Sequence, residues 1–435
     1  MNSSIRLIHS RAAIRRFLFC LCLLPLGLLR AAPVHEVLAS FGSNAFYPSS
    51  GNLVLGPDDY FWGTTQYCGA SGAGVIYKVK ADGSDWQAVV DFSGNGATNK
   101  GSQPQAGLSF DNINTFWGTT TSGGSADFGT VFKLNATTGV LTTLVEFTGS
   151  GGSEKGVSPY GKLARDSSGY YWGTTRYGGA SNQGTVFRIH IQSGSLTTAI
   201  EFTGNGASNK GSSPSSGLVT DFDGNIWGTT ESGGATGYGT IFKINIASGI
   251  LTTVIEFTGN GVTNKGSTPL GSLASLGTDW WGTTQTGGAS GNGTVFKLNR
   301  TTGVLTTVIE FTGNGASNKG KSPSAGFRTD DAGNFWGTTF YGGATDNGTI
   351  FKINPTTSIL TTVIEFTGNG ASNKGRSPRA GFSADSAGNF WSSTYAGGAS
   401  GNGTVFKLNP GTGILTTALS FLPRAHHCSL ILRKS

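Results

Sequence analysis

A tryptophan recurs in this chain at positions 62, 117, 172, 227, 281, 336 and 391, at intervals of 55, 55, 55, 54, 55 and 55 residues. Each copy sits in one phrase, written FWGTTFYGG from Phe335 to Gly343. So even a spacing over 435 residues means stacked copies of one supersecondary unit, not the two or three domains that length alone implies. The unit from Pro214 to Phe257 shows its parts. Ser215 to Asp221 alternates weakly and reads as a first strand, and FDGN is a turn. Ile226 to Thr230 is β-branched and aromatic, a second strand, and ESGGATGYG is a loop. Thr240 to Asn245 and Ile250 to Phe257 are the third and fourth strands, joined by the turn IASG. Glycine interrupts every window long enough for a helix. Four short antiparallel strands, repeated seven times, predict an all-β chain: a seven-bladed β-propeller of ~55-residue repeats. A β-solenoid is the alternative, with shorter coils and fewer tight turns. Both faces of a blade touch neighbouring blades, so the tryptophan is expected between blades as core.

Composition bears on this in one respect. With 71 glycines and 12% charged residues, the chain could be low-complexity. Aromatic residues at 11%, regularly placed, argue instead for a packed core. The ends differ from the repeat. Arg6, Arg11, Arg15 and Arg16 precede the apolar stretch Phe17 to Leu29, which is followed by RAAP. That order is a signal peptide over residues 1–32, and the apolar stretch falls short of the about 20 residues a membrane span needs. The expected division is 1–32 signal peptide, 33–421 propeller and 422–435 non-repeat tail. Eight of the 30 basic residues lie in the two end segments, leaving 22 against 23 acids in the body. The basic isoelectric point thus belongs to the ends and does not indicate nucleic-acid binding. The expectation is an exported protein, secreted or at the cell surface, monomeric, with no membrane span after cleavage.

The consensus WGTT…GG…GTVFK(L/I)N…TG.LTT(V/L)(I/V)EFTGNG..NKG..P resembles the Gloeo/Verruco (GloVer) tandem repeat of bacterial exported proteins, from about His35 to Phe421. The resemblance implies a secreted or surface protein, often with a C-terminal sorting or anchoring region, and the tail here departs from that pattern. In layout the units also resemble NHL-type blades, which bind proteins or RNA; that likeness is of fold, and fold does not give function. HEVLASF, from His35 to Phe41, matches the strand-four phrase although the last blade has its own, Ile414 to Phe421. The two either compete for the closing edge or one adds a fifth strand.

No catalytic motif is present, and the mature histidines are only His35, His190, His426 and His427. No cofactor or metal is expected; Asp221 with Asp223 comes nearest to a calcium loop but reads better as an Asx turn. The links and the second-to-third-strand loops leave a blade on one face and are long, so that face is the expected binding face for a protein or glycan. The candidate residues are these. The link lysines Lys100, Lys155, Lys210, Lys265, Lys319 and Lys374 form a candidate basic ring, or simply a copied strap. Glu146, Glu201, Glu256, Glu310 and Glu365 on strand four read as edge partners of the bases on strand three, such as Lys133 and Lys243. Two residues after each WGTT change from copy to copy. They give the ligand-binding candidates Tyr67, Arg176, Tyr177, Glu231, Gln285, Phe340, Tyr341 and Tyr395, with drift at solvent positions as the plain reading. Cys68 and Cys428, brought near by ring closure, are a candidate disulfide. The functions expected are a non-catalytic scaffold or recognition module, in a narrower form a lectin-like glycan binder, with a polysaccharide lyase or hydrolase as the rival.

Overall fold

A computed structural model describes residues 39–40, 46–48, 51–82 and 84–420. The described residues contain strands and turns but no helix, in seven antiparallel sheets, one per repeat. Together the sheets form a seven-bladed propeller. The second strands of blades 1 to 7 are Tyr60–Tyr67, Thr115–Thr120, Tyr170–Tyr177, Asn225–Thr230, Asp279–Thr284, Phe335–Tyr341 and Phe390–Ala396. In blade 4 the order runs Val219–Thr220, Asn225–Thr230, Thr240–Asn245, Leu251–Glu256 from inside to outside. The proposed signal peptide and the tail lie outside the described residues.

The first strand is shorter than its sequence implies. Of Ser215 to Asp221 only Val219–Thr220 is strand, and the chain before it meets the second strand irregularly, at a bridge between Ser212 and Ser232 and at bonds to Ser213 O and Ser216 Oγ. Pro214 has no N–H for a ladder and Gly217 has no side chain to pack, so the inner edge breaks there. The broken segment forms the wall of the central channel.

Each blade-to-blade interface carries one hydrophobic cluster. Between blades 4 and 5, Trp227, Ile241, Ile255 and Phe257 pack against Leu273, Trp280, Phe296 and Leu298. The tryptophans are core, as expected, and in five of the seven repeats an aspartate fixes the indole N–H. Trp227 donates to Asp221 Oδ2 at 2.7 Å, Trp172 to Asp166 at 2.7 Å and Trp336 to Asp330 at 2.8 Å. The same aspartates accept turn N–H groups through Oδ1, as Asp221 does from Asp223 and Asn225. Burial alone would raise the Asp221 carboxyl, but the bonds from Trp227 and Asn225 outweigh it and hold the pKa below the ordinary value. Repeat five lacks one residue in this turn, which explains the single interval of 54. Glycine in WGTT answers to the third strand: a Cβ on Gly228 would meet the Phe242 ring at 2.6 Å.

Neighbouring blades are also latched through the backbone. The residue before each link proline, such as Ser322 or Ser377, has a positive φ of 57°. This turns its N–H to a carbonyl of the preceding blade: Ser322 to Asn292 at 2.9 Å, Ser377 to Asn347 at 2.8 Å. The proline then seats on a glycine of that blade, Pro378 against Gly348.

The ring closes through side chains. Leu53, Phe61, Tyr77 and Val79 of blade 1 pack with Trp391, Val405 and Ala418 of blade 7, and Gly381 N–H donates to Asn52 Oδ1 at 2.7 Å. The C-terminal strand Ile414–Ser420 holds the outer position of blade 7, and Ala39–Ser40 lies parallel outside it. The extra outer strand is therefore an added fifth strand.

Candidate functional site

The broken inner strands of all seven blades enclose one axial cavity of about 640 Å³. Its wall is built from equivalent positions. Gln105, Tyr160, Ser215, Leu270, Ser324 and Arg379 each follow the link proline. Two residues later stand Gly107, Lys162, Gly217, Ser272, Gly326 and Gly381. Sequence reasoning missed both sets. The signal was available, since each varies or breaks ranks at a fixed distance from a repeated proline.

The variable pairs after WGTT are split by strand alternation, because successive side chains face opposite sides. First members turn inward: Arg176, Glu231, Gln285 and Phe340 line the cavity. Second members turn outward: Tyr67, Tyr177 and Tyr341 are exposed at the loop-rich face. The mouth is thus chemically two-sided. On one side Arg176 Nη2 donates to Glu231 Oε2 at 2.7 Å across blades 3 and 4, and Ser215 Oγ donates to Glu231 Oε1. The Arg176 guanidinium also faces Tyr160 and Tyr177, at 5.9 and 5.5 Å from the ring centroids. On the other side Arg379 packs against Phe340 and Tyr395, at 4.5 Å from each ring centroid.

Lys162 stands in the channel wall where other blades carry glycine or serine. Water reaches its side chain, yet protein surrounds the lumen, and this desolvation pulls the ammonium below the ordinary lysine pKa. Among the described residues it makes no ion pair or hydrogen bond.

The lysine ring has a different environment from the one its sequence suggests. Lys100, Lys155, Lys210, Lys265 and Lys319 bond Glu146, Glu201, Glu256, Glu310 and Glu365 at 2.6 to 2.9 Å. The strand-four acids therefore pair with the links and not with strand three, whose bases in five blades lie over tryptophan, as Lys243 lies 5.6 Å from the Trp227 ring. Each glutamate also accepts a loop N–H, from Ser125, Ala180, Ala235, Ala289 or Ala344. The lysine is the largest cause holding the carboxyl down in four of them, and the Ala289 N–H in Glu310. Lys374 differs, because Ser420 occupies the glutamate position of its blade. Cys68, at a φ of 113° where other copies have glycine, packs against the cluster joining blades 1 and 7. Its proposed partner Cys428 lies outside the described residues.

A family model described as a Gloeobacter/Verrucomicrobia repeat matches residues 29–212, 205–374 and 314–428. No curated protein matches. Among solved structures, a candidate 6-phosphogluconolactonase from Bacteroides uniformis is 16% identical, with a TM-score of 0.52 over 82% of this chain and 95% of that one. A puromycin-hydrolysing peptidase of Mycobacterium tuberculosis is 9% identical, with a TM-score of 0.53 over 89% of this chain and 58% of that one. An oligogalacturonate lyase in complex with manganese is 9% identical, with a TM-score of 0.50 over 84% of this chain and 89% of that one. At these identities the likeness is one of fold.

Proposed function

The chain belongs to the Gloeobacter/Verrucomicrobia repeat family, and from that premise we propose that it is a non-catalytic recognition module, exported from the cell, with its ligand in the mouth of the axial channel. One observation carries this reading. The repeat is copied closely wherever side chains hold blades together, and it diverges where they line the channel. Core tryptophans, latch prolines and lysine–glutamate pairs recur, while the six wall positions after the proline are Gln, Tyr, Ser, Leu, Ser and Arg. A cavity of this size is in the range of about 300–1,000 Å³ typical of small-ligand sites.

Several neighbours in fold are enzymes by description, so catalysis is the rival reading. The arrangement favours binding. Glu231 is the one carboxylate of the described lining, and both its oxygens are already engaged, by Arg176 and by Ser215. A general base needs a free oxygen within reach of substrate.

The test is a screen of glycans and peptides against the mature protein and Ser324→Trp, a variant that fills the channel mouth. Ligands lost with Ser324→Trp at an unchanged melting temperature support the channel. Ligands that survive the plug but fail on Tyr341→Ala place binding on the outward tyrosines instead. Turnover of a bound substrate would overturn the non-catalytic reading.

A further inference from the structure

Resting on the channel as the ligand site, we propose that its ligand carries a carboxylate, held by Lys162 and Arg379. The charged residues of the described lining are Lys162, Arg176, Glu231 and Arg379. Arg176 and Glu231 satisfy each other at 2.7 Å. Two cations remain with no acid, inside a chain whose body is otherwise close to neutral. Protein walls of low dielectric focus such a charge and attract counter-charge into the lumen.

Neither cation is a feature of the repeat. Lys162 replaces Gly107, Gly217, Ser272, Gly326 and Gly381 of the other blades, and nothing in the fold requires an amine there. An ammonium facing a lumen walled by protein has no counter-charge there, and an anion arriving beside it supplies one. Arg379 complements it with a defined geometry. Phe340 and Tyr395 flank its guanidinium, each ring centroid at 4.5 Å and the two rings 6.4 Å apart. Its N–H donors lie in the plane of the guanidinium and make no hydrogen bond among the described residues. A guanidinium held against aromatic rings with free donors suits a planar carboxylate, which it can bind through two parallel bonds.

Two sources share this chemistry, an acidic saccharide and a small polycarboxylic acid. Calorimetric titration of the full chain at low and high salt, with digalacturonate, citrate, neutral digalactose and inorganic sulfate, separates them. The expected result is binding of digalacturonate or citrate at least about tenfold tighter than digalactose, weakening with salt. Lys162→Met and Arg379→Met should each lower that affinity about tenfold with melting temperature maintained. Lys162→Ser repeats the test with the residue blade 5 already carries at this position. Digalacturonate alone identifies the saccharide source, and citrate alone the small acid. Equal affinity for digalactose, equal affinity for sulfate, no heat with any acidic probe, or wild-type affinity in the lysine variants overturns the proposal. A neutral ligand found in the screen and excluded by Ser324→Trp would keep the channel reading while removing this one.

Discussion

At the scale of single residues the molecule contains its own controls, since a departure in one copy can be read against the others. Five link lysines have a glutamate, and Lys374 has Ser420. Ser420→Glu should seat a carboxylate between Lys374 and the Ala399 N–H, as Glu365 sits between Lys319 and Ala344. Partly exposed pairs contribute about 0–1 kcal/mol, so a small rise in melting temperature is expected. Its pH dependence carries the sharper signature. Lysine and loop donors lower the folded-state pKa of these glutamates, so their stabilisation is complete above the ordinary value of 4.5 and is lost as pH falls through the folded-state value. The gain from Ser420→Glu should therefore be present near neutral pH and vanish in acid; a gain that persists at low pH would mean the new side chain acts by packing. Lys162 runs the other way. Its ammonium has no acid beside it, so Lys162→Ser should leave stability unchanged or raise it slightly. A marked loss on thermal denaturation would assign Lys162 a structural role.

At the scale of the element, the loop between second and third strands responds to substitution with opposite signs at neighbouring glycines. A Cβ on Gly348 would lie 2.4 Å from Thr339 O and 2.7 Å from Pro378 Cδ, at a φ of 95°. Gly348→Ala should cost about 2 kcal/mol or more, by strain and by lifting blade 7 off its latch. Gly291 has φ 68° and open space around it, and its equivalents Asn182 and Asp346 cap the loop through their side chains, bonding Gly178 and Gly342 N–H at 2.9 and 2.8 Å. Gly291→Asn should stabilise by about 0.5–1 kcal/mol. Denaturant melts of the two variants check both signs. The second, third and fourth strands were legible because alternation and period mark them. The first was not, because proline and glycine are compatible with a strand entrance as well as with a break in it. The channel escaped for the same reason: Tyr160, Lys162 and Arg379 lie in that break, where no alternation says which way a side chain faces. Phe340 and Tyr341 were found as variable residues, but only strand geometry shows the first buried and the second at the surface.

At the scale of the whole molecule the open question in the sequence was closure, and the arrangement seen has a consequence for stability. Six interfaces join blades that are consecutive in the chain, while the seventh joins blade 1 to blade 7. Its cluster matches the others in kind, with Phe61 against Trp391 at 5.1 Å as Trp62 meets Phe116 at 4.8 Å. Ala39–Ser40 adds only a parallel strand outside this packing. A variant lacking residues 1–40 should therefore melt close to the full chain, within about 1 kcal/mol. The register adds a second expectation. Ser40 lies beside Ser420, and both occupy the glutamate position of the strand-four phrase. The N-terminal segment thus has the sequence to replace its neighbour one strand inward. A chain ending at Gly413 exposes the edge of Thr404–Asn409, where the N-terminal strand can pair. Losing both segments removes either way of covering that edge. The double truncation should then cost more than the two single truncations combined, by at least about 0.5–1 kcal/mol, which a thermodynamic cycle on the three variants measures. Simple additivity would mean that the N-terminal strand is an ornament of blade 7 and takes no part in closing the ring.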